Sequence, residues 1–158
     1  MKTLVVYYSF EGNTDYAARR IAEKLQADLL RLKAENEPPR NILKFIVGVK
    51  SVRRAEKARL HRFSQDPSEY DRIILGSPVW AGRMTPAIRE FVLAHPFEKK
   101  EVGLFACSAS GEASAMLQHL KGLIGGNQVI ATASLRSPLK NPEKADQDID
   151  EFCGKLHR

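Results

Sequence analysis

Residues 3–20, TLVVYYSFEGNTDYAARR, decide how the rest of the chain is read. Thr3 to Tyr8 is an unbroken β-branched, aliphatic and aromatic run, the pattern of a buried strand. Ser9, Phe10, Glu11, Gly12, Asn13 and Thr14 follow as a loop rich in hydroxyl, amide and glycine groups, and Ala17, Ala18, Ile21, Ala22 and Leu25 then recur at helical spacing. A strand that runs through such a loop into a helix start makes an anion site. The first N–H groups of a helix have no internal partner and carry the positive end of its dipole. Ser9, Asn13 and Thr14 can add side-chain hydrogen bonds around a phosphate, and Gly12 lets the backbone come close. The same residues also suit an ordinary N-cap turn. The loop has neither GxGxxG spacing nor a terminal GK[ST], so the kind of phosphate has to be argued from the other loops.

Working outward, 158 residues with 43% hydrophobic content suit one ordinary globular domain, residues 1–158. The apolar run at the N-terminus is too short for a membrane span and lacks a cleavage-site pattern, which leads to the expectation of a cytoplasmic protein. Cys107 and Cys153 lie far apart with no CxxC pair and read as free thiols, with neither a disulfide framework nor a metal site. The net charge of +6 is concentrated between Arg40 and Arg62, where eight Lys or Arg face Glu56 alone. In that segment Ile42, Phe45, Ile46, Val49 and Val52 predict an amphipathic helix.

The remaining chain repeats the opening pattern. Ala27 to Leu32 mixes apolar and polar residues, as an edge strand does. Ile73 to Gly76 reads as a central strand that enters the loop Ser77, Pro78, Val79, Trp80, Ala81, Gly82, and Thr85–Pro86 opens a helix with proline in its first turn. Val102 to Cys107 is the fourth strand, entering Ser108, Ala109, Ser110 and Gly111 before a helix from Ala113 to Ile124. Val129 to Leu135 is the fifth, and Ile149, Phe152 and Leu156 mark a last helix. Five strands alternating with helices predict a doubly wound α/β sheet with right-handed crossovers. Ligands bind such folds beyond the carboxyl ends of the strands, where the loops after strands one, three and four meet.

At this point the chain resembles the flavodoxin family over nearly its whole length. The family's first loop is close to [ST]xTGxT, against Ser9, Phe10, Glu11, Gly12, Asn13 and Thr14 here, with Glu11 departing where a hydroxyl is usual. SPVWAGRMTP in the second loop is the more specific match. The resemblance implies strand order 2-1-3-4-5 and one noncovalent FMN, with Ser9 to Thr14 on its phosphate, Trp80 on its ring, and the Cys107–Gly111 backbone at its pyrimidine edge. A carboxylate beside a phosphate is repulsive, so Glu11 is expected to turn away and offer its backbone N–H. The Ala81–Gly82 peptide could swing its carbonyl towards the flavin N5 when that atom gains a hydrogen, because Gly82 tolerates φ > 0. No Phe, Trp or Tyr occurs between Phe105 and Phe152, whereas electron-carrier flavodoxins commonly stack a tyrosine from this third loop on the flavin.

Two readings follow, neither with an assigned side-chain acid or base. One is an electron carrier serving a redox partner protein. The other is an FMN-dependent oxidoreductase taking electrons from NAD(P)H to a quinone or similar small acceptor, favoured by the open flavin face and the basic charge. A phosphate-controlled receiver module would need an acidic pair after strand one and an aspartate ending strand three, where Ser9 and Ser77 stand. A phosphatase loop would need arginine six residues after Cys107, where Ala113 stands. The segment 40–62 reads first as a solvated face, with docking to an acidic protein or peripheral membrane contact as alternatives. Nucleic-acid binding is not expected, since no aromatic residues interleave with its basic ones between Phe45 and Phe63.

Overall fold

Five strands form one parallel sheet in the order β2-β1-β3-β4-β5, with β1 at Thr3–Tyr7, β2 at Asp28–Arg31, β3 at Arg72–Pro78, β4 at Glu101–Ser108 and β5 at Gln128–Arg136. The computed structural model describes residues 1–37, 40 and 57–157. Four helices are described, α1 at Asn13–Leu25, α2 at Pro86–Ala94, α3 at Ser114–Leu123 and α4 at Pro142–Leu156. The expected order is therefore observed. The amphipathic helix expected at Ile42–Val52 lies outside the described residues. Where the chain resumes, Leu60 forms an antiparallel bridge with Ala34, so the segment after Lys57 runs extended beside the β2 exit.

Side chains alternate across a strand, and here the alternation divides the core in two. Leu4, Val6, Ile73, Leu75, Leu104 and Ala106 face Ile88 and Phe91 of α2 and Met116 and Leu120 of α3. Val5, Tyr7, Ile74, Phe105 and Cys107 face Ala17, Ala18 and Ile21 of α1 and Ile149, Phe152 and Leu156 of α4. Every residue of β1 is buried because both faces are covered, which is why its sequence is apolar without alternation. The edge strands β2 and β5 alternate with exposed positions instead.

The register brings the carboxyl ends to one edge: Tyr7 pairs with Gly76, Pro78 with Cys107 and Ser108 with Arg136. From β1 the chain crosses through α1 to β2 on one side, whereas β3 lies on the other. That reversal opens a crevice above β1 and β3, where a ligand fits.

Candidate functional site

A cavity of about 480 Å³ occupies this crevice. It is lined from the first loop by Ser9, Phe10, Glu11, Asn13 and Thr14, from the second by Pro78, Val79, Trp80 and Ala81, and from the third by Cys107, Ser108 and Ala109. The three loops singled out in the sequence therefore converge on one space.

In the first loop, Gly12 is the N-cap of α1 at φ +106°, a left-handed conformation that disfavours other residues, and a Cβ there would also meet Leu139 Cδ1 at 3.2 Å. Among the described residues no side chain caps the helix, so its first N–H groups stand at the cavity end of the loop without a side-chain acceptor. Ser9 is 4% exposed and its hydroxyl has no hydrogen-bond partner among the described residues. A buried, unpartnered hydroxyl lining a cavity beside open helix amides is a donor set arranged for an acceptor. Asp15 in the same first turn is otherwise engaged. Its carboxylate accepts from Tyr7 Oη, from Arg19 Nε at 2.9 Å and from Arg31 Nη1 at 3.4 Å, while Arg31 Nη2 donates to the Ser9 carbonyl at 3.4 Å. Burial pushes the Asp15 carboxyl up, but the Tyr7 hydroxyl and the two guanidiniums outweigh it and hold it below the usual carboxylate range. Glu11 is exposed at the cavity rim.

The second loop closes tightly. Trp80 N–H donates to the Arg83 carbonyl at 2.9 Å and Arg83 N–H returns the bond at 3.0 Å, with Ala81 at φ +50° and Gly82 at φ +74° between them. Positive φ at both central residues is the type I′ geometry of a two-residue hairpin. Trp80 is half-buried, its ring edge-on to Tyr8 and Phe10 at centroid distances of 5.8 Å each and interplanar angles of 89° and 87°. Those contacts fix the plane of the indole while it lines the cavity. Arg40 lies over the Phe10 ring at 5.6 Å.

Ser77 differs from its sequence reading. It is fully buried below the cavity, its hydroxyl accepting from Thr85 N–H at 3.0 Å and donating to the Pro78 carbonyl at 2.9 Å. It ties the loop to the start of α2 and does not line the cavity. Gly12, Gly82, Ser110 and Gly111 also lie outside the lining. Gly12 and Gly82 shape the backbone, and Gly111, at φ +82°, packs under the Arg136 side chain.

The third loop is small throughout, with Ala109 and Ser110 exposed and the Ser108 hydroxyl buried without a partner. Cys107 is 3% exposed. Burial pushes its thiol up to about 12, only partly offset by a hydrogen bond with Thr14, so it stays protonated at neutral pH.

Sequence reading missed a fourth contributor, the loop from β5 to α4, which adds Ser137 and Lys140 to the lining. The signal was available, since RSPLKN is another loop with serine, proline and asparagine at the carboxyl end of a strand. No cluster of His, Cys, Asp or Glu suited to a metal occurs among the described residues. The site can bind, stack and hydrogen-bond, and among the described residues its lining has no buried acid–base pair.

A family model described as Flavodoxin matches residues 2–138. Among solved structures, a flavoprotein of Lactobacillus acidophilus in complex with FMN is 24% identical, with 90% of this chain and 97% of that chain covered at a TM-score of 0.70. A Bacteroides uniformis protein assigned as a flavoprotein is also 24% identical, covering 94% and 97% at 0.75. A flavodoxin of Fusobacterium nucleatum bound to flavin mononucleotide is 16% identical, covering 99% and 98% at 0.62. At these identities the likeness is one of fold. No curated protein matches the sequence.

Proposed function

We propose, since the chain belongs to the flavodoxin family, that the cavity holds one FMN noncovalently and that the protein transfers electrons through it. The observation that carries this reading is the buried, unpartnered Ser9 hydroxyl beside the uncapped start of α1, in a cavity whose other wall is Trp80. The volume of about 480 Å³ lies within the range of roughly 300–1,000 Å³ usual for cofactor pockets.

FMN supplies the redox-active ring; the protein supplies binding, orientation and electrostatics. Ser9, the α1 amides and Asn13 offer hydrogen bonds to a terminal phosphate, and the α1 dipole favours its charge. Trp80 offers an apolar face whose tilt is held by Tyr8 and Phe10. The Trp80–Arg83 turn presents peptide groups to the ring, and the Ser108–Ala109 backbone does so from the opposite loop.

A second reading, hydride exchange between NAD(P)H and a quinone-type acceptor, is favoured by the third loop. Ala109 and Ser110 are exposed there with no aromatic side chain in the loop, which leaves room for a flat reactant beside the ring. The FMN-loaded protein, titrated anaerobically with NADPH, then NADH, and in parallel with dithionite, separates the two. Bleaching by a nucleotide in a single phase supports the two-electron reductase. Bleaching by dithionite alone, through a transient long-wavelength band, supports the electron carrier. Failure of the apoprotein to bind FMN would overturn both.

A further inference from the structure

The loop from β5 to α4 is fastened to both the first and the third loops of the cavity by three contacts. Ser137 N–H donates to the Ser108 carbonyl at 3.0 Å, Leu139 N–H donates to Asn13 Oδ1 at 3.0 Å, and Leu139 packs over Gly12, where an added Cβ would meet its Cδ1 at 3.2 Å. A tight turn, closed by Lys140 N–H to the Ser137 carbonyl at 2.9 Å, then sets Lys140 on the cavity wall with Ser9 and Asn13. Asn13 is the first residue of α1, so this loop and the helix start form one unit. The nearby Arg31 is engaged by Asp15, and the Arg136 stem packs over Gly111. Lys140 lies in the cavity lining with no ion pair among the described residues.

We infer that Lys140 is the charge-selecting residue of this site, the cation that makes it prefer a phosphorylated flavin over an unphosphorylated one. The inference rests on the FMN reading. Neutral donors and a helix dipole supply only partial charges, whereas an ammonium supplies a whole one. At the mouth of an open cavity its effect is partly screened by solvent and falls with salt.

The test is binding of FMN and of riboflavin to the apoprotein, followed by quenching of flavin fluorescence at low and at high salt, for the unaltered protein and for K140Q, K140R and K140E. K140Q is expected to weaken FMN about five- to twentyfold at low ionic strength, less at high salt, and to leave riboflavin within about twofold. K140E should weaken FMN further and K140R should restore most of the affinity. Unchanged FMN affinity in K140Q, or a parallel loss of riboflavin binding, would overturn the inference while leaving the FMN reading standing. If the unaltered protein binds neither flavin, the FMN reading fails and this inference fails with it.

Discussion

At the scale of single residues, the second loop holds a strained position. Ala81 at φ +50° occupies a region that costs an L-residue about 1 kcal/mol, and it does so because the exchange of hydrogen bonds between Trp80 and Arg83 closes the turn around it. Ala81→Gly should therefore raise stability of the apoprotein by roughly 0.5–1 kcal/mol, read as a higher urea midpoint at unchanged m-value. A lower midpoint would show that the turn is not held in this form. The same geometry bears on the peptide swing expected from Gly82 alone. Turning the Ala81–Gly82 peptide over would take Ala81 into a region that glycine alone populates readily, so the resident side chain opposes that motion. Gly76 sits at the other extreme, in an ordinary conformation with no space beside it. A Cβ there would lie 2.0 Å from the Phe105 ring, so Gly76→Ala must displace a fully buried aromatic and should cost about 1–3 kcal/mol in the same measurement.

At the scale of elements, α1 and α4 are joined across their exposed side. Asp146 accepts from Tyr16 Oη at 3.0 Å and from Arg20 at 3.2 Å, and Lys24 pairs with Asp150. The Arg20 guanidinium first, then the Tyr16 hydroxyl, hold the Asp146 carboxyl below its ordinary 3.8 against the opposing effect of burial. A carboxyl depressed in the folded state contributes stability that is present above the unfolded value and lost as pH falls through the folded one. Asp146→Asn should lower the thermal midpoint by roughly 2–4 °C near neutral pH, with the difference from the unaltered protein shrinking below about pH 4. A difference independent of pH would show that the charge of Asp146 is not what joins the two helices.

At the scale of the whole molecule, the sheet is thickest at its middle. β3 lies between β1 and β4 with both faces covered, whereas β2 and β5 are the end strands of the sheet and carry exposed positions. Amide hydrogen exchange should accordingly be slowest in Ile73–Leu75 and Leu4–Val6, and faster in Asp28–Arg31. Uniform protection across the five strands would contradict this gradient. The cavity opens at the carboxyl edge above these central strands, so its walls stand on the middle of the sheet.

Much of this was legible in the linear chain, because the signals are local. Thr3–Tyr8 is apolar without alternation since helices cover both its faces, and Ala27–Leu32 is mixed since it lies at an edge; each pattern reports burial that the strand itself experiences. The loops were legible because small polar residues at strand ends are needed wherever backbone must approach a ligand. What the sequence could not contain was proximity between distant segments. Ser77 and Ser9 look alike as serines after a strand, yet one hydroxyl is consumed by Thr85 and the other is left open, a difference set by where α2 begins in space. Leu139 and Asn13 lie far apart along the chain and meet through the Leu139 N–H, and Lys140 and Asn13 line one cavity. Periodicity and composition determined the strands, the helices and three of the walls; only the packed sheet, by fixing which loop ends lie side by side, decided which groups face the cavity and which are spent holding it.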